Sequence, residues 1–281
     1  MERYIIGIDN YGLFPLGLAP VEVLEWARDN GALGVQFSGL SREEEKTVDD
    51  AYLKNLAQYA EEHGLYLEWG GGQHIPFDTQ TWNRKDILAV NQKAAKQAAV
   101  LGTRVVRSCS GGLIRWQEQS PKTETLLQEM AVSLRAQRQM LRDYNVILAI
   151  ETHFEFTTHE LLRLFERCDA VPGDYLGICL DTMNLLTMLE DPMKGVQRIL
   201  PWVVSTHIKD GGVLLDEKGL VTFPAEVGRG VIDLHKICEF LAAETDVIRF
   251  SIEDHGGRFV LPVFDPMFLS KFPDPGVPPK I

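Results

Sequence analysis

The sequence contains few cysteines, and their spacing excludes both a dense disulfide framework and a CxxC zinc motif. Only four occur among 281 residues: Cys109, Cys168, Cys179 and Cys238. Scattered thiols of this kind are typical of reduced cysteines that pack as small apolar side chains, so we expect a cytoplasmic protein without disulfides. Of the four, only Cys109 is a candidate for a functional site, because it follows a predicted strand.

The chain also lacks a long apolar run and an excess of basic charge. No uninterrupted apolar stretch approaches the roughly 18–20 residues that span a bilayer, and residues 1–4 lead into a strand pattern without the layout of a signal peptide. Lys and Arg total 28 against 40 Asp and Glu, which gives a formal net charge of −12. An acidic protein gains no affinity from counterion release at a phosphate backbone, so we expect neither a nucleic-acid partner nor a membrane partner.

The chain does have a regular alternation of short apolar runs with longer helical patterns. Eight strands are predicted, at residues 4–8, 33–37, 65–69, 103–107, 146–150, 176–180, 203–206 and 247–252. Seven helices are predicted between them, at about residues 20–30, 48–63, 84–101, 123–144, 158–168, 192–200 and 234–243.

This alternation favours an α/β fold with a single (β/α)8 barrel, the TIM barrel, over residues 1–281. A doubly wound open sheet is the alternative, but residues 9–12 lack the glycine fingerprint expected after its first strand. Residues 42–46 are predicted to be a solvated acidic loop, and a small hairpin is predicted at 213–223. Six prolines between 262 and 279 predict an irregular tail in place of a full eighth helix.

Four predicted strands in the second half each run into a residue of a metal-binding type. These residues are Glu151, Asp181, His207 and Glu253. In a parallel barrel the carboxyl ends of the strands surround one mouth, so the four side chains are expected to converge there. Three acids and one histidine would crowd like charges at low dielectric without a cation. The set suits one divalent metal ion, Mn²⁺ first, with Mg²⁺, Co²⁺, Fe²⁺ and Zn²⁺ as alternatives.

The same region resembles the sugar phosphate isomerase/epimerase family, the xylose-isomerase-like barrels that include ketose 3-epimerases. The matching motifs are IETH at 150–153, LDTMN at 180–184, HIKD at 207–210, GRGVID at 228–233 and SIE at 251–253. In that family the Glu, Asp, His and Glu bind a divalent metal, usually Mn²⁺, and the two Glu also move protons. The resemblance implies these roles for Glu151, Asp181, His207 and Glu253, whereas the first 145 residues match only as generic barrel units.

The implied reaction is isomerisation or epimerisation of a sugar, keto-sugar or polyol. A metal that binds adjacent carbonyl and hydroxyl oxygens stabilises the enediolate formed when a proton leaves the neighbouring carbon. Glu151 and Glu253 are predicted to be catalytic, one removing the proton and the other returning it. We see no second basic cluster for a phosphate, so an unphosphorylated small molecule is the favoured substrate. A homo-oligomer, either dimer or tetramer, is compatible with the sequence.

Eight further residues are predicted to contact the substrate. They are His153, Lys209, Arg107, Glu68, Asn184, Trp69, His74 and Arg229. A place in the core explains Trp69 better than a sugar contact does, and a surface turn explains Arg229 equally well. Asn184 stands where many relatives have a histidine, so a third imidazole beside the metal is absent.

Three other functions fit parts of the pattern. A lyase on the same scaffold, similar to inosose dehydratases or acting on 3-keto glycosides, needs the same metal and base, so the sequence does not separate it. An abasic-site endonuclease of similar fold needs additional histidines for a zinc cluster, and Asn184 and residues 225–226 stand where two of them are expected. The third function is that of a non-catalytic barrel that binds a metabolite. The presence of both glutamates, Glu151 and Glu253, is evidence against it.

Overall fold

The computed structural model describes residues 4–41, 43–245, 249–254 and 256–272. Its strands are β1 (Ile5–Asp9), β2 (Gly34–Phe37), β3 (Tyr66–Gly72), β4 (Val105–Ser108), β5 (Ile147–Glu151), β6 (Leu176–Asp181), β7 (Val203–Ile208), β8 (Asp210–Asp216), β9 (Gly219–Ala225), β10 (Arg249–Ile252) and β11 (Phe259–Leu261). Eight of them form a closed parallel barrel in the order β1-β10-β7-β6-β5-β4-β3-β2. The predicted (β/α)8 barrel is confirmed.

Helices connect consecutive barrel strands, and one more, α10 (Pro266–Leu269), follows the last of them. The connecting helices are α1 (Pro20–Asp29), α2 (Glu44–Thr47), α3 (Asp50–Glu62), α4 (Ile87–Leu101), α5 (Thr123–Asp143), α6 (Thr158–Arg167), α7 (Asn184–Thr187), α8 (Pro192–Ile199) and α9 (Leu234–Glu244). Short 3₁₀ helices cover Asn10–Leu16, Ile114–Trp116 and Leu200–Trp202. Of these, α1, α3, α4, α5, α6, α8 and α9 correspond to the seven predicted helices.

Local signals in the sequence set several helix ends. At the start of α6 the Thr157 hydroxyl accepts from the Glu160 backbone N–H, and the Glu160 side chain accepts from the Thr157 N–H in return. The Asp86 carboxylate accepts from the first N–H groups of α4, and Gly102 ends that helix with φ 76°. The predicted bounds are therefore correct to within a few residues.

Two segments contain more regular structure than predicted. α2 begins within the predicted acidic loop at 42–46. The predicted hairpin at 213–223 extends to β8 and β9, which β11 joins in a three-stranded antiparallel sheet. In the predicted tail, α10 is the only helix of the described residues 262–272. Val247 and Ile248 of the predicted last strand, and residues 273–281 of the tail, lie outside the described residues.

The hydrophobic core lies between the barrel strands and the surrounding helices. Leu148 and Ile150 of β5 are fully buried, as are Leu127 and Leu134 of α5 and Leu161 of α6. Burial of this apolar layer supplies the main favourable free energy of folding. Within the described residues, no helix combines the length and apolar character needed to cross a bilayer.

A buried ion pair ties the loop after β4 to the start of α6. The Arg115 side chain is 3% exposed and contacts the fully buried Glu160, and it also donates to the backbone oxygens of Glu155 (3.0 Å from Nε) and Lys271. Arg115→Met would leave the Glu160 charge buried without its cation, so we expect a loss of about 3–5 kcal/mol in the free energy of unfolding. Urea denaturation of metal-free protein measures it.

The exposed pair between Lys46 and Glu43 provides the control for this prediction. Lys46→Met should change the free energy of unfolding by less than about 1 kcal/mol, because exposed ion pairs contribute little. Equal effects of Arg115→Met and Lys46→Met would show that burial of the Arg115–Glu160 pair does not matter for stability.

Candidate metal centre

The barrel brings the four predicted ligands together at the carboxyl ends of neighbouring strands. Glu151 and Asp181 end β5 and β6, His207 lies in β7 and Glu253 follows β10 directly. His207 is in register with Asp181 on one side and with Ser251 of β10 on the other. One ligand atom from each of the four residues lies within 4.8 Å of the others, and none of the four residues is more than 2% exposed.

The environment of Asp181 tests whether these residues fit a metal. Its Oδ1 accepts from the backbone N–H groups of Met183 (2.9 Å) and Asn184 (2.8 Å), whereas its buried Oδ2 accepts no hydrogen bond from the described residues. Burial, opposed by the charge of Lys209 and aided by that of Glu253, raises the pKa of Asp181. Asp181 is thus a fixed carboxylate among other acids, and its Oδ2 has only the Lys209 ammonium 3.1 Å away as a partner among the described residues. An oxygen atom held in this way can bind a divalent cation, so the site fits a metal ion.

Two cationic side chains border this cluster. The Arg107 guanidinium contacts Glu151, and Lys209 Nζ contacts Glu253 and lies 3.1 Å from Asp181 Oδ2. Burial alone would raise the pKa of Glu151, but the charge of Arg107 and a hydrogen bond to His207 hold that pKa well below its ordinary value. Each of the two predicted proton carriers therefore has a cationic partner.

A pocket opens over the centre. It is lined by Arg107, Glu151, His153, Phe154, Met183, Asn184, Lys209, Glu253, Gly256, Gly257 and Phe259. Four of the predicted substrate contacts, His153, Lys209, Arg107 and Asn184, thus lie in its wall beside both glutamates. Asn184 Nδ2 is 3.5 Å from Glu151 Oε1, so an amide occupies the position beside the centre where a third imidazole was expected in relatives.

The structure places the other four predicted contacts elsewhere. Trp69 is 4% exposed and donates to Gln97 of α4, so it belongs to the layer between barrel and helices and not to a sugar-binding wall. Arg229 has a side chain 79% exposed and pairs with Glu226 on the surface. Glu68 and His74 are buried and do not line the pocket.

Two acids near the centre are not among the site residues predicted from the sequence. Asp9, at the end of β1, is buried with its Oδ2 3.4 Å from His207 Nε2, and Ser38 donates to the same oxygen. Asp9 follows the same pattern as the four ligands, because it is a metal-binding type of residue at the end of an apolar strand. The pattern would have identified it. Glu155 carries no such signal, because it lies in the loop that follows β5.

Comparison with known proteins places the chain in a family. A family model described as "xylose isomerase-like TIM barrel" matches residues 24–266. The chain belongs to this family. The 3-oxo-isoapionate decarboxylase of Pectobacterium atrosepticum is 28% identical to this chain over 240 residues, which cover 81% of this chain and 77% of that enzyme.

Solved structures of xylose isomerase-like barrels superpose over most of the chain. An L-ribulose 3-epimerase matches with a TM-score of 0.68 and 20% identity, covering 96% of this chain and 86% of its own. The IOLI protein with a bound zinc atom matches with a TM-score of 0.66 and 17% identity, covering 94% and 91%. At these identities the structural matches establish the fold alone.

One buried acid of this xylose isomerase-like barrel makes its stability depend on pH. Glu68 lies inside the barrel with Arg249 Nη1 3.9 Å away, and burial raises its pKa to about 7 although Arg249 opposes the shift. The folded state therefore holds this proton more tightly than the unfolded state, so ionisation of Glu68 lowers stability as pH rises from about 4.5 to 7.

Glu68→Gln should remove this dependence. We expect the difference in free energy of unfolding between the variant and the parent to grow in favour of the variant between pH 4.5 and 7 and to level off above that. Urea denaturation of metal-free protein across this range measures it. A difference that stays constant with pH would mean that Glu68 has the same pKa in both states.

Proposed function

We propose that this barrel is a divalent-metal-dependent lyase that removes the carboxylate of a 3-oxo sugar acid as CO₂. The observation that carries this proposal is the placement of Arg107 and Lys209 in the pocket wall beside the metal ligands. Arg107 is always charged, and the charges of Asp181 and Glu253 raise the pKa of Lys209 against the effect of burial, so both side chains are cationic at neutral pH. A neutral sugar requires neither charge. The similarity to a 3-oxo-isoapionate decarboxylase supports the same class of substrate.

The charges at the centre support an anionic substrate. Glu151, Asp181, Glu253 and Asp9 supply four negative charges, and Arg107 and Lys209 supply two positive ones. A divalent ion would balance the remaining two. The pocket would then accept a substrate carboxylate without net repulsion, whereas the same ligands without the two cations would repel it.

The residues can be assigned to steps of the reaction. A divalent ion held by the four ligands would supply an electrophile that polarises the carbonyl of the substrate. Arg107 is placed to bind the carboxylate and hold it next to that carbonyl. The bond between the carboxylate carbon and the neighbouring carbon breaks, and the carboxylate leaves as CO₂. The electron pair of that bond moves toward the carbonyl oxygen, and the neighbouring carbon then takes a proton. The Lys209 ammonium lies in the pocket wall and is placed to deliver this proton.

Decarboxylation depends less than epimerisation on a change of protonation at Glu151. Epimerisation needs one carboxylate as a base and the other as a proton donor. A Glu151 whose pKa is held low by Arg107 is both a weak base and a poor donor. Decarboxylation requires no base, so it does not depend on Glu151 gaining a proton.

The epimerase or isomerase predicted from the sequence remains the second candidate. Glu151 and Glu253 both line the pocket, as a reaction with two proton carriers requires. Epimerases and a probable 3-DHS dehydratase are also among the proteins that share this fold.

Nuclear magnetic resonance in deuterated water, with Mg²⁺ as the diamagnetic metal, separates these reactions. The substrates are a 3-oxo sugar acid labelled with ¹³C in its carboxylate, a series of ketoses and an inosose. We expect labelled CO₂ and bicarbonate together with a ketone product that carries one deuterium. Deuterium exchange or epimerisation of a ketose, with no labelled CO₂ from the acid, would contradict the proposal and favour the second candidate.

A further inference from the structure

A second group of metal-binding side chains lies beside the pocket. Cys109 follows β4, and His153 and Glu155 follow β5, so the two loops meet at the mouth of the barrel. One ligand atom from each of the three residues lies within 4.8 Å of the others. None of the three belongs to the four-ligand centre, and His153 also forms part of the pocket wall.

The group is held in place by contacts that do not involve a metal. Glu155 is 1% exposed, and its Oε1 accepts from the backbone N–H of Gly111 (2.7 Å) and lies 3.1 Å from His153 Nδ1. A Cβ atom at Gly111 would lie 2.5 Å from Glu155 Cγ, so the loop after Cys109 packs directly on this carboxylate. Cys109 is brought to the histidine and the carboxylate by that close approach.

We propose that Cys109, His153 and Glu155 form a second metal site, which takes a zinc-class divalent ion. A thiolate, an imidazole and a carboxylate are each zinc ligands, and a zinc site with three protein ligands keeps one open position. Zinc–ligand bonds are about 2.0–2.3 Å long, so small side-chain rotations would bring all three atoms onto one ion. The thiolate and the carboxylate together balance the two charges of that ion.

The two sites differ in the metals that they should select. The four-ligand centre offers oxygen and nitrogen ligands, which accept Mn²⁺ and Mg²⁺ readily. Cys109 adds a soft sulfur ligand, which favours Zn²⁺, Co²⁺ or Cd²⁺ over those two ions. The chain should therefore bind one ion when Mn²⁺ alone is supplied and two ions when Zn²⁺ is added.

Cobalt spectroscopy tests the second site without a substrate. Full-length protein titrated with Co²⁺ should show a thiolate-to-cobalt charge-transfer band in the near ultraviolet. The band should be lost in Cys109→Ser and strongly weakened in Glu155→Gln. It should persist in Asp181→Asn, which affects only the four-ligand centre, and in Cys238→Ser, which removes another partly exposed thiol. Circular dichroism checks that each variant folds.

Metal content gives a second measurement. With Mn²⁺ and Zn²⁺ both present, mass spectrometry of the loaded protein should find two ions per parent chain and one per Cys109→Ser chain. A parent protein without the charge-transfer band, or a band that survives in Cys109→Ser, would overturn the second site. Either result would leave the proposed lyase activity untouched, because that activity rests on the four-ligand centre.

Discussion

Asp181→Asn is expected to abolish divalent-metal binding at the four-ligand centre and to lower turnover at least about a thousandfold. The substitution removes one ligand charge while leaving an oxygen that can still accept from the N–H groups of Met183 and Asn184. The fold should therefore persist. A metal that polarises a carbonyl contributes several kcal/mol to the transition state, and about 4 kcal/mol corresponds to a factor of a thousand.

Calorimetric titration with Mn²⁺ and turnover of the labelled 3-oxo sugar acid measure this effect. Asp174→Asn is the matched control, because Asp174 precedes the same strand at its other end and pairs with Arg142. It should bind Mn²⁺ and turn over normally. Full metal content together with normal turnover in Asp181→Asn would exclude the four-ligand centre as the site of the reaction.

Arg107→Met and Lys209→Met are each expected to lower kcat/KM for the sugar acid at least about a hundredfold. Removing one partner of a desolvated charge pair costs about 2–5 kcal/mol, which corresponds to a factor of about thirty to several thousand. Metal binding should not weaken, because both substitutions make the centre more negative. Arg107→Lys should recover part of the loss, since it keeps the charge but not the paired N–H groups.

The same variants separate the two candidate functions. An effect on the sugar acid that exceeds the effect on a neutral ketose supports a cationic site for the substrate carboxylate. Arg229→Met is the matched control. Arg229 is exposed, and its only ion pair among the described residues is with Glu226. If both variants slowed acid and ketose by the same factor, the two cations would serve the metal ligands alone and the decarboxylase proposal would lose its support.

The barrel was predictable because its strands and the helices between them carry local signals. Strand-length apolar runs, the capping box at Thr157 and Glu160, and Gly102 at the end of α4 act over a few neighbouring residues and can be recognised along the chain. In the sheet of β8, β9 and β11, only the hairpin of β8 and β9 was predicted. Its third strand pairs with β9 over a long separation, and such pairing leaves no pattern in the local sequence.

The positions of candidate site residues were predictable where a side chain ends a barrel strand. They were poorly predictable in the loops. Glu151, Asp181 and His207 lie at strand ends, whose convergence follows from the barrel itself. Trp69 was assigned to the pocket as an alternative, but the alternation of side chains along β3 turns it toward Gln97 of α4. The contact between Glu155 and Gly111 depends on how two loops fold against each other, and no spacing in the sequence reports it.

The order of the four ligands along the chain also sets when a metal can bind. Glu151 is synthesised first and Glu253 last, and Glu253 joins the others only when β10 pairs with both β7 and β1. A nascent or partly folded chain without β10 presents an incomplete set of ligands. An ion bound by all four ligands would therefore mark a molecule in which β10 has joined the barrel.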